Sequence, residues 1–189
     1  MIQATNYPWD GNVSITVNPK TAKRFSMRIR IPNRDISVLY TNSPAVNQIT
    51  SLSVNGKAVR PVISKGYAVI TRMWNKGDKI DLVLPMKLQR VKASDQIEAD
   101  RGKVALRYGP LVYNIEQRDQ DIAKALNPSA PLTTEWRPDL LGGVVVIKGQ
   151  FTDGSPMAAI PNFARMNRDI APAQGQRRPP TSIVWITEG

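Results

Sequence analysis

The chain has 189 residues, 41% of them hydrophobic, including four Trp, five Tyr and three Phe, enough to build one large or two small cores. Neither Cys nor His occurs, which excludes disulfides, thiolate nucleophiles, imidazole bases and Cys/His zinc sites within this chain. The 26 basic and 15 acidic residues leave a formal charge of +11, but the charges are spread along the chain, and neither a short basic run nor a nucleic-acid motif accompanies them.

The N-terminus, Met1-Ile2-Gln3-Ala4-Thr5-Asn6, has no basic segment followed by an apolar one, so it does not read as a signal peptide. Export of a longer parent, to the periplasm or beyond, is compatible with this start. No apolar run approaches the roughly 18 residues of a membrane span. Neither a membrane nor a nucleic acid is expected as a partner.

Period-two alternation begins at Val13, Ile15 and Val17, with Ser14 and Thr16 between them. It is clearest where Phe25, Met27, Ile29 and Ile31 alternate with Arg24, Ser26, Arg28 and Arg30, the pattern of a strand with one buried and one wet face. Further strands are predicted over Ile36–Tyr40, Ile49–Val54, Tyr67–Trp74, Lys79–Leu84, Val104–Tyr108 and Leu111–Ile115. Asn55-Gly56 is a two-residue hairpin signal, and Lys76-Gly77-Asp78 a tight turn. Tyr108-Gly109-Pro110 bends the chain between two strands, because Pro110 has no N–H to give a ladder.

From Gln117 to Gly143 the strand pattern lapses. Asp119–Leu126 has enough helical periodicity for a short helix, ended by Asn127-Pro128. Strands resume at Val144–Ile147, Met157–Ile160 and Ser182–Ile186, and the Pro-, Gln- and Arg-rich stretch Asp169–Pro180 reads as a mobile loop. Many short strands at close intervals predict an all-β fold, an antiparallel, jelly-roll-like β-sandwich of one body or two packed sub-sandwiches. Residues 1–116 form the main sandwich in this reading and 117–143 an excursion. Residues 144–189 then complete the sandwich or form a second small one.

Several motifs, in order, resemble one family. They are Asn6-Tyr7-Pro8-Trp9-Asp10-Gly11, Arg28-Ile29-Arg30-Ile31-Pro32, Val54-Asn55-Gly56 and Gly66-Tyr67, followed by Arg72, Trp74, Gly77 and Asp78. Asp100-Arg101-Gly102-Lys103-Val104-Ala105-Leu106 then leads into Tyr108-Gly109-Pro110-Leu111-Val112-Tyr113 and Glu116. The series resembles the β-sandwich portion of the beta-L-arabinofuranosidase family, glycoside hydrolase family 127. The tail, Ala159-Ile160-Pro161, Asn167-Arg168 and Ile183-Val184-Trp185, is similar to the family's last strands, although Asn162-Phe163 and Arg177-Arg178-Pro179-Pro180 depart from its pattern.

The resemblance implies that catalysis belongs to an (α/α)6 barrel N-terminal to such a region. That barrel carries a catalytic glutamate and a zinc held by a glutamate and three cysteines, none of which maps onto this chain. The expected function is therefore a non-catalytic accessory region of a glycoside hydrolase, with no cofactor of its own and the barrel as its partner. Arg24, Arg28 and Arg30 are expected to meet carboxylates on that barrel, and self-association into a homodimer through the same patch is a further expectation. The alternative is a carbohydrate-binding module for plant or arabinose-rich glycans.

For such a module, Trp9, Tyr67 and Trp74 are the candidate sugar-stacking rings, although filling the core, or the seam with the barrel, is the commoner role of such residues. Trp74 shares the parity of Ala68, Ile70 and Arg72, which need not be the main core face, so Trp74 exposed beside Arg72 is the best-placed platform. Asp95, Glu98 and Asp100 lie close in sequence, as do Asp78 and Asp81. With 15 acidic residues such neighbours arise by chance and are not a catalytic signal.

Overall fold

The computed structural model describes residues 1–33, 37–167 and 181–189. Among these are seventeen strands, two single-turn 3-10 segments and no α-helix, the antiparallel all-β fold that the alternation predicts. The expected strand Ile36–Tyr40 falls partly, and the loop Asp169–Pro180 wholly, outside the described residues.

The chain forms two compact units, one of residues 1–36 and 45–86 and the other of residues 37–44 and 87–189. The division falls inside the 1–116 span that reads as one sandwich, and its physical basis is that each unit encloses its own apolar cluster. The alternation has the same form on both sides of residue 86, so it carries no marker of the change of core.

The first three strands, β1 (Ile2–Thr5), β2 (Asn12–Val17) and β3 (Lys23–Arg30), lie in the first unit, and β4 (Tyr40–Ser43) in the second. The chain returns to the first unit for β5 (Ser51–Val54), β6 (Lys57–Ala58), β7 (Val62–Ser64), β8 (Tyr67–Trp74) and β9 (Asp78–Val83). Five of these make a sheet in the order β1-β2-β9-β5-β6, and three make a second in the order β3-β8-β7. Val13, Val17, Val54, Ile80 and Leu82 from the first sheet share one core with Ile70 and Trp74 from the second. Phe25, Met27 and Ile29 on β3 pack against that core, while Arg24, Ser26, Arg28 and Arg30 point away from it. The wet and dry faces of β3 are those its alternation predicts. Asn55 and Gly56 both take positive φ, 50° and 75°, and close the two-residue turn between β5 and β6.

In the second unit β10 (Leu88–Ala93), β11 (Lys103–Tyr108), β12 (Leu111–Glu116), β13 (Thr133–Arg137), β14 (Val144–Gln150) and β15 (Pro156–Pro161) join β4 in the order β13-β14-β15-β12-β11-β10-β4. The short β16 (Ser182–Ile183) and β17 (Ile186–Thr187) pair with β12 and β11. Val104, Leu106, Tyr113, Ile115, Ile147 and Met157 are the fully buried centre of its core. Near the C-terminus Glu188 accepts from Arg90 at 2.9 Å and from Lys92 at 2.6 Å, which ties the last residues to β10.

No helix forms at Asp119–Leu126. The Asp121 carboxylate accepts from the Ala123 N–H at 2.9 Å, and Leu126 gives its N–H to Thr187 at 2.7 Å while bridging Phe151 and Glu188. Those backbone groups are committed to side-chain and tertiary partners, which outweigh a weak local helical preference. Within 117–143, β13 pairs with β14 as an additional edge strand.

Tyr113 supplies a pH test of the second core. It is fully buried and donates its hydroxyl to the Val145 carbonyl at 3.0 Å; burial first, and the nearby Tyr108 second, push its pKa well above the ordinary value. A raised pKa contributes stability that is fully present below the unfolded value, about 10, and is lost as pH rises toward the folded one. Denaturant melts from pH 8 to 11 are expected to show stability falling from about pH 10 upward. Tyr113→Phe is expected to flatten that fall and to cost roughly 1 kcal/mol at neutral pH for the lost hydrogen bond.

Candidate functional site

The even-numbered residues of β8 face the core, so Ala68, Ile70 and Trp74 are buried, Trp74 with none of its surface accessible. Its indole Nε1–H donates to the Phe25 carbonyl at 3.0 Å, and its ring lies 5.9 Å from that of Phe25. The exposed platform expected at Trp74 is therefore absent: the parity shared with Ala68 and Ile70 is that of the core. Arg72 lies on the same face at the sheet's end, its guanidinium 5.3 Å from the Trp74 ring and its Nε–H donating to the Met73 carbonyl. Arg72 and Trp74 do come together, but as a lid on the core and its filling.

Tyr67 begins the same strand on the opposite face, half-buried, with the Arg30 guanidinium 5.3 Å from its ring. Trp9 lies half-buried in the turn before β2, where its N–H donates to the Asn6 carbonyl at 2.8 Å. The four residues thus occupy a core, its rim, the outer face of β8 and a separate turn, and do not converge on one sugar-stacking surface.

The outer face of β3-β8-β7 is the stronger candidate. Its cross-strand rows are Arg24 with Met73, Ser26 with Thr71, Arg28 with Val69 and Val62, and Arg30 with Tyr67 and Ser64. Ser26 and Thr71 hydroxyls share a hydrogen bond of 2.7 Å. Arg24, Arg28 and Arg30 are exposed and make no ion pair with any described residue. The charge is also less evenly spread than a search for short basic runs suggests. Between residues 11 and 77 stand eleven Lys and Arg against one acidic residue, Asp35, a balance of +10 out of +11 for the whole chain. Counting acidic residues over a long window, not basic ones over a short window, is the sequence signal that marks this stretch as cationic; three of its eleven cations stand on the outer face of β3.

The carboxylates behave as structural groups. Asp78 Oδ1 accepts from Asn55 Nδ2 at 2.9 Å and Oδ2 from the Asn75 N–H at 2.8 Å, while Asn55 Oδ1 takes the Lys79 N–H at 2.8 Å. The Asn75 N–H, then Asn55, hold the Asp78 pKa below the ordinary carboxylate value. Arg137 beside Asp139 brings that carboxyl down to about 2, and Lys124 with Ser155 draws Asp153 down further. A glycosidase general acid must move the other way, so that it still holds its proton near neutrality. Asp81 pairs with Lys79 at 3.2 Å and Glu98 with Arg101 at 3.8 Å, both at the surface. Among the described residues no three Asp or Glu side chains come together in a metal-holding group.

The second unit carries a buried polar row that sequence patterning misses. Gln89, Arg107, Asn114 and Glu116 lie on the sheet face opposite its apolar core. Arg107 donates from Nε and Nη2 to Gln89 Oε1 at 2.9 and 2.8 Å, and Gln89 Nε2 donates to the Pro44 carbonyl at 2.7 Å. Glu116 Oε1 accepts from the Met166 N–H at 2.7 Å. These bonds fasten β4 and the segment after β15 to the sheet, a structural task.

Comparison with known proteins gives a consistent result. The family model for the middle domain of glycoside hydrolase family 127, described as beta-L-arabinofuranosidase, matches residues 1–86, and that for the family's C-terminal domain matches residues 88–174. A non-reducing end beta-L-arabinofuranosidase of Bifidobacterium longum subsp. longum is 33% identical; the match takes in 75% of this chain and only 21% of that protein. The solved structure of a family 127 beta-L-arabinofuranosidase from Geobacillus stearothermophilus T6 is similar over 100% of this chain and 30% of its own, with a TM-score of 0.78 and 34% identity. A second solved family 127 beta-arabinofuranosidase is similar over 99% of this chain and 31% of its own, with a TM-score of 0.80 and 29% identity.

Proposed function

The chain belongs to glycoside hydrolase family 127, as its middle and C-terminal domains, and from that premise we propose that it is a non-catalytic region supporting a catalytic barrel of a beta-L-arabinofuranosidase-like enzyme. The observation that carries this reading is the partial coverage: nearly the whole chain matches, yet it spans about 30% of the solved relatives and 21% of the curated one. Supporting it, Asp78 sits in a turn network, Asp81, Glu98, Asp139 and Asp153 in surface ion pairs, and the shifted carboxylates move away from the range a general acid needs.

The zinc implied by the family resemblance does not fit the residues of this chain. Thiolate and imidazole donors do not occur in it, and the described carboxylates do not gather in threes. No chemical step is assigned to the metal here; under this reading both zinc and bond cleavage belong to the barrel.

The test uses a whole relative. Replacing the corresponding region of the Bifidobacterium longum enzyme with this chain is expected to leave a soluble protein with measurable arabinofuranosidase activity, while deleting that region is expected to give an insoluble or heat-labile one. A deletion variant as stable and active as the intact enzyme would overturn the supporting role.

A further inference from the structure

Going beyond the supporting role, we propose that the outer face of β3-β8-β7 is a binding surface for a linear, carboxylate-bearing glycan, with Arg24, Arg28 and Arg30 as its anion contacts. The three guanidinium groups project from one side of one strand. With about 3.3 Å of rise per residue, Arg28 lies about 7 Å from Arg30 and about 13 Å from Arg24 along it. Each offers the planar, two-pronged donor set that matches a carboxylate, and none is neutralised by a described residue.

Beside this row runs a less polar one. Met73 is 49% and Val62 71% exposed, with Val69 between them in the ladder and Tyr67 at the end, and a shallow depression that Arg60 and Arg72 also line runs past Val62, Val69 and Met73. C–H faces of sugar rings suit such a strip, and the Ser26–Thr71 hydroxyl pair between the arginine rows suits their hydroxyls. Among the described residues β3 is an edge strand, paired with β8 on one side only.

An acidic protein surface, such as the barrel carboxylates expected from the sequence, is the competing occupant. A protein-docking patch is expected to place its apolar residues centrally with charges around them. Here the cations lie in single file along one side, the arrangement that suits an extended polyanion. The concentration of +10 of the chain's +11 into residues 11–77 supplies the long-range attraction.

Affinity electrophoresis and calorimetry on the whole chain, with polygalacturonate as probe, test the assignment. The expected result is binding at 50 mM salt that weakens steeply toward 200 mM, with none to neutral arabinan. The variant Arg24→Ala/Arg28→Ala/Arg30→Ala is expected to bind about tenfold more weakly or worse, the scale of three exposed ion pairs, with an unchanged melting temperature. Lys20→Ala/Lys57→Ala/Lys76→Ala removes the same charge from other exposed positions and is expected to change affinity less than about twofold. The single change Arg28→Glu gives an independent reading and should also weaken binding. Equal losses in the two triple variants would reduce the effect to diffuse charge and overturn the site. Absence of binding to polygalacturonate, or poly-L-glutamate binding as tightly, would overturn the glycan assignment, the latter in favour of an acidic protein. The latter outcome would return Arg24, Arg28 and Arg30 to the contact with barrel carboxylates expected from the sequence; the supporting role itself is tested separately, by the domain exchange.

Discussion

Replacing Trp74 with Ala is expected to destabilise the first unit by about 4 kcal/mol, the middle of the range for truncating a buried Trp. The side chain is wholly inaccessible, packs with Ile70, Ile80 and Val54, and bonds through its indole N–H to the Phe25 carbonyl. The substitution removes the ring's apolar contacts, leaves a cavity between the two sheets and strips the Phe25 carbonyl of that donor. Urea unfolding followed by circular dichroism should show a markedly lower midpoint, and near-ultraviolet ellipticity should fall with it. A variant of normal stability that had lost glycan retention would identify Trp74 as a binding residue and refute its placement in the core.

A second large effect is expected at Gly11. A Cβ there would lie 1.9 Å from the Leu84 carbonyl oxygen and 3.2 Å from Met86 Cγ, while the Leu84 N–H donates to the Gly11 carbonyl at 2.8 Å. The first obstacle is backbone already fixed by that hydrogen bond, so it cannot rotate aside as a side chain would. Gly11→Ala is expected to cost about 3 kcal/mol or more, at or beyond the upper end of ordinary overpacking. Gly56→Ala gives the contrast. Its φ of 75° disfavours a side chain, but a Cβ there meets nothing within 4 Å, so a cost of about 1–2 kcal/mol is expected. Paired thermal melts measure both. A Gly56 variant less stable than the Gly11 variant would contradict the close approach of Leu84.

Particular residues show what the sequence makes legible. β3 is readable because it presents apolar and polar residues to opposite sides, β8 because it is a run of β-branched and aromatic residues, and Asn55-Gly56 because two successive positive φ values favour those residue types. β10 is not readable: Gln89 and Arg107 occupy one buried face, bonded to each other and, through Gln89, to the Pro44 carbonyl, so neither parity of Leu88–Ala93 reads as apolar. β1, β7 and β13 escape notice as short outer strands with mostly exposed residues, where burial imposes little pattern. Trp74 is misread because Arg72 interrupts an otherwise apolar parity, yet a guanidinium stacked on the indole is compatible with the edge of a core. The cationic face is legible in composition once acidic residues are counted over residues 11–77, but its placement on one sheet face requires the β3–β8 register.

The central claim, that this chain supports catalysis without performing it, is tested most directly by its own activity. The purified chain is incubated with an aryl β-L-arabinofuranoside and with arabinose oligosaccharides, with and without added zinc, at high protein concentration. The predicted result is no release above the uncatalysed background under either condition. Turnover that follows the protein through successive purification steps, and disappears in an acidic-residue variant such as Asp81→Asn with its fold intact, would contradict the account.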